Sequence, residues 1–164
     1  MKIGVCMSSE LLRDILMEEY QVLEKNINEI QSVLARVESD DMNYDLNRQM
    51  LQSRRMSEQL KKKLQENGGD VATQASQYSD SSYVDKFRYE ISQELLDDRT
   101  IAKYLIRNAK ANVSMIHQLL DTAPSDAVCN IPIAHEFVEE EEKYMRRMES
   151  YIELEEDDSI SFSS

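Results

Sequence analysis

The stretch SELLRDILMEEYQVLEKNINEIQSVLARV, residues 9–37, decides the fold. Leu12, Leu16, Glu19, Leu23, Asn26, Ile30 and Val33 recur in steps of four and three. That spacing is the seam of a helix lying nearly parallel to its neighbours. Glu19 and Asn26 are the polar interruptions in an otherwise apolar stripe. A second segment, residues 41–67, carries Leu46, Met50, Ser53, Ser57, Leu60 and Leu64 on one stripe, bordered by Met42 and Met56. Gly68-Gly69 closes it, because glycine accepts the left-handed cap conformation.

Residues 70–81 are polar and read as a longer crossover or surface loop. A third helix is expected over 82–121, opened by a Ser82/Asp85 capping box and stopped by Pro124. Its stripe runs through Val84, Phe87, Ile91, Glu94 or Leu95, Asp98, Ala102, Leu105, Ala109, Val113, Ile116 and Leu120. A strict heptad would place Asn112 in the seam; the apolar choice is Val113. The fourth helix follows Asn130-Ile131-Pro132, with proline in its first turn, and aligns Ala134, Val138, Glu141, Met145, Met148 and Ile152. The expected fold is all-α: an antiparallel four-helix bundle over residues 1–152 with a longer connection between helices 2 and 3. Residues 153–164, acidic and then Ser-rich, are expected to form a frayed tail.

Composition agrees. Of 164 residues 41% are apolar, and only 3 Gly and 2 Pro are present, too few for a turn-rich β fold. The 32 acids against 19 bases give a net charge of −13, which argues against a nucleic-acid partner. No apolar run reaches the ~20 residues that span a bilayer, so no membrane partner is expected. The opening residues lack a signal-peptide core, and Cys6 and Cys129 fit no metal spacing; a cytoplasmic protein with free thiols is the expectation. Arg54, Arg55 and Lys61 to Lys63 concentrate positive charge on the second helix. Residues 136–158 hold eleven acids against three bases.

Three carboxylates, Glu19, Asp98 and Glu141, fall on apolar seams, each partway along its expected helix. Brought into one layer they would resemble a carboxylate-bridged metal site. Each also belongs to an acidic run, the ordinary signature of a solvated face.

Over residues 10–155 the chain resembles the ferritin-like superfamily, in its rubrerythrin and bacterioferritin branch. Met17-Glu18-Glu19-Tyr20-Gln21-Val22-Leu23 resembles the first helix of that family. Leu95-Leu96-Asp97-Asp98-Arg99-Thr100-Ile101-Ala102-Lys103-Tyr104 resembles the third, with Asp98 in place of a Glu. Residues 56–69 resemble the end of the second helix running into its Gly turn. The family places Glu-x-x-His on helices 2 and 4. Here the matching positions are Ser53-x-x-Met56 and Glu141-x-x-Tyr144, with Glu142-x-x-Met145 one residue away, and neither imidazole is present. His117 and His135 stand elsewhere.

The resemblance therefore implies a ferritin-like bundle with a degenerate di-iron site and no cofactor. Its expected role is non-catalytic, as a structural or protein-interaction module, with a homodimer or another protein as partner. The competing expectation is an iron- or manganese-binding protein or oxidoreductase that uses Glu19, Asp98 and Glu141. A plain coiled-coil adaptor is the third.

Overall fold

The computed structural model describes residues 9–66, 68, 97–123 and 132–162. Among them lie four helices and no strand: α1 (Ser9–Leu34), α2 (Asp40–Glu66), α3 (Asp98–Thr122) and α4 (Pro132–Phe162). Both cysteines, the 70–81 loop, the Ser82/Asp85 box, Pro124 and Asn130 lie outside the described residues.

The helix ends follow from local chemistry. Past Leu34 the chain tightens: Arg36 and Val37 donate to the carbonyls of Val33 and Leu34, so α1 stops short of Val37. Ser39 caps α2, its Oγ accepting the Met42 N–H at 3.2 Å. Gly68 sits at φ +78, in the left-handed region expected of the Gly turn after α2. Ala123 is extended (φ −71, ψ 141), as suits the residue before a proline, and ends α3. Helix α4 runs through Phe162, and no proline or glycine follows Pro132 in it.

Asp97 is the N-cap of α3, extended at φ −88 and ψ 170, with its side chain accepting the Thr100 N–H at 2.7 Å. The third helix therefore starts at Asp98 and does not run unbroken from residue 82. Asp98 stands in its first turn, not in mid-seam. Its carboxylate accepts the N–H of Glu38 at 2.9 Å and of Ser39 at 2.8 Å, tying the start of α3 to the α1–α2 turn. Asp98→Ala is expected to lower stability by about 1–2 kcal/mol in urea titration, with Asp98→Asn intermediate. An unchanged midpoint in both would contradict this role.

Helix α1 packs against α2 and α3, and α4 against the same two. Along α2 and α4, paired residues run in opposite order: Asp45 accepts from the Tyr151 hydroxyl, Gln49 reaches Glu141, and Arg55 pairs with Glu136. Along α1 and α2, Glu24 meets Ser57 and Asn26 meets Ser53. The apolar core falls into two clusters. One includes Leu16, Leu23, Met56, Leu60, Ile116 and Phe137; the other includes Ile30, Val33, Leu46, Ile101, Leu105 and Met148.

The seams of α1 and α2 are buried as expected, Leu12 being half-buried. In α3 the strict heptad prevails: Asn112 is fully buried and Val113 is half-buried. In α4 the buried line is Ala134, Phe137, Glu141, Tyr144 and Met148, while Val138 and Met145 turn partly outward.

Candidate functional site: two polar layers between the helices

Nine polar or charged side chains are buried among the described residues, and most gather between the two apolar clusters. Asn26 of α1 donates through Nδ2 to Ser53 Oγ on α2 and to Glu141 Oε1 on α4, each at 3.0 Å. Gln49 of α2 donates through Nε2 to the same Glu141 oxygen at 2.9 Å. Lys25, beside Asn26, donates to Asn112 Oδ1 on α3 at 3.1 Å. Asn26, Ser53, Asn112 and Glu141 thus stand at one level, one from each helix.

One helical turn further lie Glu29, Gln49, Asn108 and Tyr144, again one from each helix and all buried. Lys25 approaches Glu29 at 3.8 Å, and Arg147 donates to Gln49 Oε1 at 3.4 Å. Apolar residues close the stack on both sides: Val33, Leu46, Leu105 and Met148 at one end, Leu23, Met56, Ile116 and Phe137 at the other.

Electrostatics follow from burial. Desolvation pushes the Glu141 carboxyl up to about 8; the hydrogen bonds from Gln49 and Asn26 pull the other way, and the nearby Glu29 adds to the rise. Desolvation likewise holds the Tyr144 hydroxyl well above its ordinary range, with Glu141 and Glu29 adding to it. Glu141 Oε2, Tyr144 OH, Asn108 Nδ2 and Asn112 Nδ2 are buried with no hydrogen-bond partner.

The three carboxylates singled out from the sequence do not share this layer. Glu141 is at its centre. Glu19 is 1% exposed, but two turns of α1 separate it from Asn26, in the apolar cluster of Leu16, Leu23 and Leu60. Neither Glu19 oxygen has a hydrogen-bond partner, and desolvation raises its carboxyl to about 8 against the pull of Lys63. Asp98 lies at the start of α3, bound to the α1–α2 turn. The layer is instead completed by residues that an apolar-stripe reading passes over: Glu29, Gln49, Asn108 and Asn112. Glu29, Gln49 and Asn108 each directly precede a seam residue (Ile30, Met50, Ala109), and Asn112 occupies the strict heptad position.

The donor set does not fit a di-iron or di-manganese centre. Two amide N–H groups point at Glu141 Oε1, and neither donating nitrogen can serve as a ligand. No imidazole lies in the two layers. Among the described residues no three His, Cys, Asp or Glu side chains cluster as a metal site. What the arrangement can do is fix register: the bonds joining Asn26, Ser53, Gln49 and Glu141 form in one alignment of the helices and are lost in others.

No protein-family model, curated protein sequence or solved structure matches this chain.

Proposed function

We propose that the chain is a ferritin-like antiparallel four-helix bundle without catalytic chemistry, acting as a structural or protein-interaction module. The observation that carries this reading is the closure of Asn26 and Gln49 on Glu141, which fills the middle of the bundle with hydrogen bonds where the ferritin-like pattern would place metal ligands. Chain path supports the ferritin-like part. Helix α2 starts at the end where Asp98 grips Ser39, and its 27 residues carry its far end about 40 Å away. The end of α2 and the start of α3 therefore lie at opposite ends of the bundle. Helix ends so placed fit the crossover order of ferritin-like bundles and not a simple up-down hairpin order. Among the described residues no helix is long and apolar enough to cross a membrane.

Elemental analysis tests the reading. After expression in iron- and manganese-replete medium, the purified protein is expected to hold far less than one equivalent of either metal. Glu141→Ala and Glu19→Ala are expected to leave that value unchanged. A stoichiometric metal lost in either variant would replace this reading with the carboxylate-ligated iron or manganese protein.

A further inference from the structure

The two polar layers are closed by protein groups toward α1 and α2 but not between α3 and α4. Glu141 Oε1 accepts from Asn26 and Gln49, whereas Glu141 Oε2 has no hydrogen-bond partner among the described residues. The Tyr144 hydroxyl, Asn108 Nδ2 and Asn112 Nδ2 are in the same condition. All four side chains are at most 7% exposed. Asn108 and Asn112 stand one turn apart on α3, Glu141 and Tyr144 one turn apart on α4, and α3 packs along α4. Asn112 shares the level of Glu141, and Asn108 that of Tyr144. A buried polar atom left without a partner costs about 1–3 kcal/mol, so four of them on one pair of helices point to a bound molecule.

We propose that these four groups form a binding site for internal water, held between α3 and α4 and bridging the two layers. Water in that place deepens the module reading above, on which it rests: hydrogen bonding completes both layers. Donor chemistry selects the ligand. Asn112 Oδ1 accepts from Lys25, whose ammonium can only donate, so the atom this amide leaves for the site is Nδ2. An amide nitrogen donates and does not ligate a cation, so the bound molecule must accept from Asn108 and Asn112. An ionised Glu141 Oε2 only accepts, so the same molecule must also donate. Water does both. Its two lone pairs take the two amide N–H groups, and its two O–H bonds go to Glu141 Oε2 and the Tyr144 oxygen. One helical turn is about 5.4 Å, roughly twice the ~2.8 Å of an O–H···O bond, so a molecule of water's size between the levels reaches both. Four polar partners match the upper end of what buried water makes in proteins. The bridge links α3 to α4 as the Asn26 and Gln49 amides link α1 and α2 to α4.

Nitrogen-edited ROESY of the isotope-labelled full chain, at mildly acidic pH where amide exchange is slow, tests this. The side-chain NH2 protons of Asn108 and Asn112 are expected to show cross-peaks to water with the sign of dipolar contact, opposite to that of chemical exchange. Asn108→Leu/Tyr144→Phe removes two of the four partners and is expected to weaken the Asn112 cross-peak at least twofold. Glu19→Gln, in the apolar cluster, is expected to leave both cross-peaks unchanged. Circular dichroism confirms that the variants are folded, and the wild-type spectrum decides without them should either unfold. Absent cross-peaks, or cross-peaks of exchange sign only, overturn the proposal, as does an Asn112 cross-peak that the double variant does not weaken. Cross-peaks that vanish, with a rising melting temperature, when chloride replaces sulfate at equal ionic strength would give the site to an anion and overturn it too. Metal content decides the non-catalytic reading, so a metal-free protein without the water signal sinks this proposal alone.

Discussion

Lowering the pH from 9 to 6 is expected to stabilise the protein, raising its melting temperature by on the order of 10 °C. The cause is the pair of buried carboxyls. Glu19 and Glu141 each hold their proton to about pH 8 in the folded chain, against 4.5 for an ordinary glutamate. Between those values the folded state binds more protons than the unfolded one, so stability falls as pH rises. The contribution is full below pH 4.5, is lost progressively up to about 8, and changes no further above it. Each unit of separation corresponds to about 1.4 kcal/mol, so two such groups amount to several kcal/mol across the window. Calorimetry at intervals across that range measures the slope. Glu141→Gln removes one of the two titrations while keeping an acceptor for Asn26 and Gln49, and is expected to reduce the slope by about half. A melting temperature that is flat with pH, or a slope that survives Glu141→Gln and Glu19→Gln together, contradicts the assignment. The competing acidic effect at Asp97, held below the usual range by the Thr100 hydrogen bonds, acts below this window and does not offset it.

That pH dependence arises from residues the sequence partly discloses. The α1 and α2 seams are legible because their buried positions keep strict three-four spacing, polar members included: Glu19, Asn26, Ser53 and Ser57 are all buried where the stripe puts them. The α3 seam is misread for a physical reason. Choosing Val113 over Asn112 assumes that a core position prefers an apolar residue, whereas the line of Leu105, Ala109 and Ile116 carries Asn112 inward, where its Oδ1 accepts from Lys25. Asp98 is misplaced because the extended backbone at Asp97 resets the helix start, and no periodicity signals it. Gln49, Glu29 and Asn108 carry no signal in the periodicity because each acquires its role only when a neighbouring helix faces it. The central position of Glu141 was legible; its amide partners across the core are long-range contacts that spacing along one helix cannot reveal.

The same one-residue ambiguity on α4 sets up the sharpest packing test. The sequence stripe selects Val138, whereas the structure puts Phe137 at 0% exposure and Val138 at the half-buried edge of the cluster. Phe137 belongs to the apolar layer with Leu23, Met56 and Ile116, immediately next to the Asn26–Glu141 level. Phe137→Ala removes a buried ring and leaves a cavity that three helices must close, at a cost of about 3–5 kcal/mol. Val138→Ala takes away less surface from a position already half wetted, and is expected to cost roughly 1 kcal/mol. Urea denaturation of both variants measures the contrast. A larger loss from Val138→Ala would mean that α4 is rotated by one residue from the orientation described. It would also move Glu141 off the core-facing line, and with it the hydrogen bonds from Asn26 and Gln49. Phe137 is thus an indirect gauge of the polar layers: the residue whose truncation hurts most identifies the face of α4 that carries Glu141 inward.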